Sequence, residues 1–268
     1  MKTIIIAIGL STLVLTGCGG GGGVSTPAPA PVADEKMGGV WVGTSTSGGN
    51  THTLIGLSTD DGRFHFFTDD PRTAWELGTQ FVGSIGNFAG SISVSNQNQI
   101  SGSGVGAPTD CCGWNDGSVD TPVTVSGTLS EGDSITGSWS ASTGENGTFN
   151  LTFDPIYNRT SSLAKVQGTY TTFDERFGDG GNAYSSITID SNGSINGQDV
   201  DGCIWSGMVS IIDSNFNVYE ITTTVSNCGD IDGTSTGLTG LFDNTGTDDM
   251  LWVSDSDGET AGYGDAYR

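Results

Sequence analysis

The side chains with reactive chemistry are few in this chain. There are five cysteines (Cys18, Cys111, Cys112, Cys203 and Cys228) and two histidines (His52 and His65). No histidine lies near Cys111-Cys112, so a zinc site is not expected there. No Gly-x-Ser-x-Gly elbow is present, and no glycine-rich phosphate loop precedes a helix. Both histidines fall inside alternating apolar/polar runs and read as strand residues. Glycoside hydrolysis needs only two carboxylates. Asp69-Asp70, Asp174-Glu175 and Asp248-Asp249 are candidate pairs, but each sits at a strand end or turn, where aspartate is expected for backbone reasons. Asp190-Ser191-Asn192-Gly193-Ser194 has the opening chemistry of a calcium loop, and Asp179 to Asn182 is similar. Neither has the following helix or the bidentate glutamate at the twelfth position, so turns are the better reading. No catalytic residue, metal ligand or bound cofactor is therefore assigned.

Cys203 and Cys228 flank a pair of alternating runs, Cys203–Ile212 and Val218–Asn227. Folding one on the other through Ser214–Asn217, with Asp213 opposite Val218, sets Ile212 against Tyr219 and Cys203 against Cys228. One face then carries Ile204, Met208, Ile212, Tyr219, Ile221 and Val225, and the other Glu220, Thr222, Thr224 and both cysteines. A structural Cys203–Cys228 disulfide is expected, holding the open end of the hairpin by about 2–4 kcal/mol. Adjacent Cys111 and Cys112 either close a strained ring or bond elsewhere. With the other two paired, a vicinal disulfide is the default, in a loop read as a rigid surface feature more than a functional one.

Cys18 stands apart. Met1-Lys2 is a short positive start, Thr3 to Leu15 is an almost wholly apolar run, and small residues follow. That is secretory-signal grammar, and the run is too short to span a membrane, which takes about 18–20 apolar residues. Leu15-Thr16-Gly17-Cys18 resembles the bacterial lipobox at all four positions. The resemblance implies cleavage before Cys18, a diacylglycerol thioether on its sulfur, and acylation (typically palmitate) of the new amino group. It also implies Gram-negative outer-membrane attachment, since Gly19 replaces the aspartate that would retain the protein at the inner membrane.

Behind the anchor site, Gly19 to Gly23 is a pure glycine run and Pro27, Pro29 and Pro31 alternate. A polyproline-like Val24–Lys36 reaches about 40 Å at roughly 3.1 Å per residue. Residues 1–17 thus read as signal and 18–36 as tether. The 31 acidic residues against 8 basic ones exclude nucleic acid as a partner, because phosphate backbones would be repelled. Divalent cations or basic partners remain compatible.

From Gly38 onward, Gly, Ser, Thr, Asn and Asp separate short runs of Val, Ile, Phe, Tyr and Trp, the composition of many strands joined by turns. Fifteen strands are expected, with turns such as Asp61-Gly62, Asn146-Gly147 and Asn192-Gly193. Three short stretches rhyme: Gly39–Thr44 with Val166–Tyr170, Leu54–Gly62 with Ser186–Gly193, and Ser134–Trp139 with Ser235–Phe242. The reading is all-β: two antiparallel barrel or sandwich-like repeats, residues 37–158 and 159–268. Lipid, tether and Gly-rich β lobes together resemble the layout of bacterial surface lipoproteins built from β-barrel lobes, such as transferrin-binding lipoproteins. No motif is shared and this chain is far shorter, so no ligand or binding residue carries over. The expected function is a lipid-anchored envelope module that binds a protein or glycan at the periplasmic or surface face. The alternatives are a glycan hydrolase using loop carboxylates and a passive structural or assembly lipoprotein. An exposed aromatic patch near Trp114 or Trp205 would favour the binder.

Overall fold

The computed structural model describes residues 36–68, 85–108, 113–174, 183–198, 202–229, 232–243, 245–259 and 261–268. Cys18, Cys111, Cys112, Asp69, Asp70, Glu175 and the Asp179–Asn182 segment lie outside these residues.

The fold is all-β: two closed eight-stranded antiparallel barrels joined by a short linker. The first comprises β1 (Gly39–Ser47), β2 (Asn50–Ser58), β3 (Arg63–Thr68), β4 (Ile85–Val94), β5 (Gln99–Pro108), β6 (Thr121–Ser130), β7 (Ser134–Ala141) and β8 (Asn146–Phe153). A 3-10 turn (Pro155–Asn158) and a one-turn helix, α1 (Leu163–Val166), form the linker. The second comprises β9 (Gly168–Asp174), β10 (Ala183–Ile189), β11 (Ser194–Gln198), β12 (Ile204–Ile211), β13 (Tyr219–Ser226), β14 (Gly233–Phe242), β15 (Met250–Ser256) and β16 (Ala261–Tyr267). Each strand pairs with its sequence neighbours, and β1–β8 and β9–β16 close the walls, so that each sheet closes on itself.

Alternation fills each barrel. The first core holds Trp41, Leu54, Phe64, Phe66, Phe88 and Trp139 among others, with Phe66 and Phe88 stacked at 5.2 Å. The second is smaller, built on Tyr170, Ile189, Ile195, Val209, Tyr219, Ile221, Leu241 and Leu251. Two of the sequence rhymes occupy equivalent places. Gly39 and Gly168 open the first strand of each barrel, with fully buried Trp41 and Tyr170 two residues on. Leu54–Gly62 and Ser186–Gly193 both run from second strand into turn. The third rhyme is out of step, because it matches β7, the seventh strand, to β14, the sixth of its barrel.

Two strands escape the sequence pattern, β5 and β16. Gly102, Gly104 and Gly106 interrupt the first, and Gly262 and Gly264 the second. In β5 the glycines are needed for close approach: a Cβ at Gly104 would collide with the Ala89 carbonyl across the sheet. A strand selected by backbone proximity carries little alternation to read.

The barrels pack wall to wall. Val40 and Leu57 from the first meet Val218, Leu238, Phe242 and Met250 from the second, with Tyr157 of the linker between them. Tyr157 stacks on Phe216 at 4.5 Å, and Phe67 meets Trp252 edge-on at 5.5 Å. Arg63 Nη1 reaches Glu220 Oε2 across the junction at 2.5 Å.

Candidate functional site: the outer wall of the stapled hairpin

Cys203 and Cys228 are joined by a disulfide, with Cα atoms 4.9 Å apart. The hairpin they close is in a different register from the one the alternation predicts. Ile211, not Ile212, faces Tyr219, and Val209, not Ser210, faces Ile221. The turn is the reason. Ile212–Val218 forms a longer loop in which Asp213 Oδ1 accepts the Asn215 N–H at 2.9 Å, Phe216 stacks on Tyr157, and Val218 packs into the junction between barrels. Packing the loop against the linker draws Ile212, Asp213 and Val218 out of the ladder and shifts its register by one residue. In that register Cys203 falls level with Asn227, and Asn227 takes a left-handed backbone (φ 65°), which brings Cys228 to Cys203. Its Nδ2 donates to the Gly202 carbonyl at 2.8 Å.

A one-residue shift moves every side chain to the other face. Relative to β13, whose Tyr219 and Ile221 stay in the core, it is β12 that turns over: Val209 faces inward and is buried, while Ile204 and Met208, expected in the core, project outward at 46% and 44% exposure. At the strand end Ile211 and Ile212 are also exposed, at 40% and 38%, Ile211 on the face it shares with Val209. Their cross-strand neighbours on the wall are Thr222 and Ser194 beside Met208, and Ser226 and Gln198 beside Ile204. Across β10 to β13 the only charged residue is Glu220, already engaged by Arg63. The wall therefore carries a single, ion-paired charge in a chain of net charge −23. Depletion of charge around exposed aliphatic side chains is the composition of an interface core.

The residues singled out for chemistry fall elsewhere. Trp114 is not an exposed aromatic. It is 2% exposed and closes the first core, its Nε1 donating to the Gly106 carbonyl at 3.2 Å and its ring lying edge-on to Trp139. Trp205 is half-buried on the inward face of β12. His65 is buried at the junction, with Nδ1 3.2 Å from Ser254 Oγ, and burial pulls it down to about 4. His52 is half-buried in β2 and likewise pulled down by burial. Asp190 Oδ1 accepts the backbone N–H groups of Asn192 and Ser194, so that carboxylate orders its own turn. Asp248 Oδ1 accepts from Arg159, and Asp249 Oδ2 from the N–H groups of Thr245 and Gly246. Arg159 also grips Asp243 at both oxygens, and those hydrogen bonds hold the Asp243 carboxyl at about 2. These carboxylates organise loops and present no acid–base pair to a substrate. Among the described residues no group of three or more His, Cys, Asp or Glu side chains is placed to hold a metal ion.

The apolar wall was missed from the sequence because its residues alternate as well in one register as in the other. The one available signal was the surplus of apolar residues on β12, at Ile204, Trp205, Met208, Val209 and Ile211, more than one face can bury.

No family model matches this sequence, and no curated protein does. Among solved structures the chain is similar to the vaccine antigen transferrin binding protein B of Haemophilus parasuis Hp5. The identity is 11%, covering 85% of this chain and 62% of that one, at a TM-score of 0.25. It is also similar to the isotype 1 transferrin binding protein B of serogroup B Neisseria meningitidis, at 12% identity, 82% and 59% coverage, and a TM-score of 0.28. The chain spans less than two thirds of the length of these proteins.

Proposed function

We propose that this protein is a lipid-anchored outer-membrane lipoprotein whose two-barrel body docks a protein partner on the outer wall of the β12–β13 hairpin. The carrying observation is the exposure of Ile204 and Met208 on a wall whose one charged residue, Glu220, is ion-paired with Arg63. The partner's chemistry follows from the surroundings. An aliphatic anchor would seat on Ile204 and Met208, and cationic residues would face the acidic rim that includes Asp213. Anchoring would use Cys18 and the Gly/Pro tether, which fits a body that works at a distance from the bilayer.

Two experiments address the two halves. Metabolic labelling with a palmitate analogue should mark the wild-type chain and fail on Cys18→Ser; a labelled variant would count against lipidation at Cys18. A photo-crosslinking residue at Met208 of the full lipidated chain should capture a protein, with the same residue at exposed Thr124 on the first barrel as control. Capture should be lost with Ile204→Asp and weakened by salt. Equal adducts at Thr124, or indifference to Ile204→Asp, would remove the wall from the reading.

A further inference from the structure

At the junction of the barrels, away from the hairpin wall, a crevice of about 480 Å³ opens between the linker and the start of β15. Its size lies within the range of small-molecule sites, which favour such boundaries. Phe242, Met250, Trp252 and Ile156 form its apolar lining. Trp252 packs against two rings, Phe242 at 4.1 Å and, nearly at right angles, Phe67 at 5.5 Å, so its orientation is set before anything binds. It remains half-buried rather than covered.

The charged rim is unbalanced. Arg159, the one cation lining the crevice, donates to both oxygens of Asp243 at 2.7 Å and to Asp248 Oδ1 at 2.9 Å. Its charge is thus more than offset by two carboxylates. Asp154 adds a third, and that carboxylate uses Oδ1 to cap the linker turn through the Ile156 N–H at 2.9 Å. An apolar floor with an oriented indole, under a rim of excess negative charge, repels anions and offers a neutral ligand only a hydrogen-bond acceptor, without the charge attraction open to a cation. A cation on an apolar body satisfies both parts, through apolar contact with Trp252, Phe242 and Met250 and through the Asp154 carboxylate.

We infer that the crevice lined by Trp252, Phe242, Met250 and Asp154 is a binding site for a small organic cation, an ammonium or guanidinium carried on an apolar body. The site is separate from the β12 wall and does not depend on it.

Titration of the full chain in low salt with benzyltrimethylammonium, benzyl alcohol and phenylacetate, followed by ligand-observed NMR, tests this. The cation should saturate at one site while the alcohol and the anion do not. Asp154→Asn retains an oxygen to cap Ile156 and loses only the charge, so it should weaken the cation about fivefold without moving the thermal melt. Trp252→Leu should weaken it by a similar factor, and Met208→Asp on the other wall should leave it unchanged. If the cation in nature is a peptide side chain, N-acetylarginine amide binds at least as tightly as the ammonium and shows the same Asp154 dependence. No saturable binding by about 10 mM, equal binding of all three benzyl probes, or an Asp154→Asn variant that binds as well as wild type would overturn the assignment.

Discussion

His65 is a neutral imidazole kept dry at the barrel junction, 6% exposed, against the Ser254 hydroxyl. Burial disfavours the imidazolium and lowers the folded-state value to about 4, against 6.5 for the unperturbed side chain. Above pH 6.5 both folded and unfolded chains carry the neutral ring, so its contribution is fully present. Between pH 6.5 and 4 the unfolded chain binds a proton that the folded chain does not. Stability must therefore fall with pH across that window, by about 3 kcal/mol in all. Carboxylates titrate in the lower part of the same range, so the comparison has to be with a variant. His65→Gln should show a shallower loss of urea midpoint between pH 7 and pH 4.5 than wild type. Two neighbours in one loop make a second residue-scale contrast. Trp114→Ala removes a buried ring and its hydrogen bond and should cost about 3–5 kcal/mol in thermal or urea unfolding. Val119→Asp, at a side chain 68% exposed, should change stability by no more than about 0.5 kcal/mol.

The β12–β13 hairpin is the element on which fold and proposed function converge. Its register predicts opposite fates for adjacent residues. Met208→Asp places a charge in water and should leave the melting temperature within about a degree or two, equivalent to under roughly 0.5 kcal/mol. Val209→Asp places the same charge inside the barrel and should unfold it or cost upwards of about 3 kcal/mol. Were the two reversed, the pairing of Ile211 with Tyr219 would be wrong by one residue. The disulfide closes the far end of this hairpin across 25 residues of sequence. A Cys203→Ser/Cys228→Ser double variant should lose about 2–4 kcal/mol in denaturant unfolding. It should also leave the hairpin pairing intact by amide exchange, because the ladder and the inward Val209, Tyr219 and Ile221 hold the register without the sulfurs.

At the scale of the whole molecule, the two barrels are bound by an apolar contact rather than strung on a linker. Leu57, Val40, Leu238, Phe242 and Met250 are buried there, and Tyr157, Phe216 and Trp252 fill the margins. An interface of this kind couples two domains in unfolding. Calorimetry of the wild type should show a single transition. Leu238→Asp, which buries a charge in the contact, should split it into two or lower it by several degrees. The distribution of charge belongs to the same scale. Ser, Thr and Asn dominate the outward positions of the strands, and the acid sits mainly in the connections. The barrel walls are the places where an acidic protein can be approached without repulsion.

Local chemistry settled a great deal in advance. Strand after strand could be read from period-two alternation, and the turns from Asp-Gly and Asn-Gly, because those signals arise within a few residues of chain. The all-β class follows from them, and the Cys203–Cys228 bridge follows from two strands that meet through a short loop. Three features required the tertiary structure. β5 is a strand because neighbouring backbones come close enough to need glycine, and β16, interrupted by Gly262 and Gly264, is one by its pairing with β15, not because their own side chains alternate. Trp114 is core because a loop closes the first barrel, which no periodicity records. The face of β12 that meets solvent was decided by Phe216 and Val218, whose packing on the linker and junction shifted the hairpin by one residue. Alternation specifies that one face is buried, but it cannot choose between faces when both are apolar. That choice put Ile204 and Met208 on the outside, where the proposed docking wall lies.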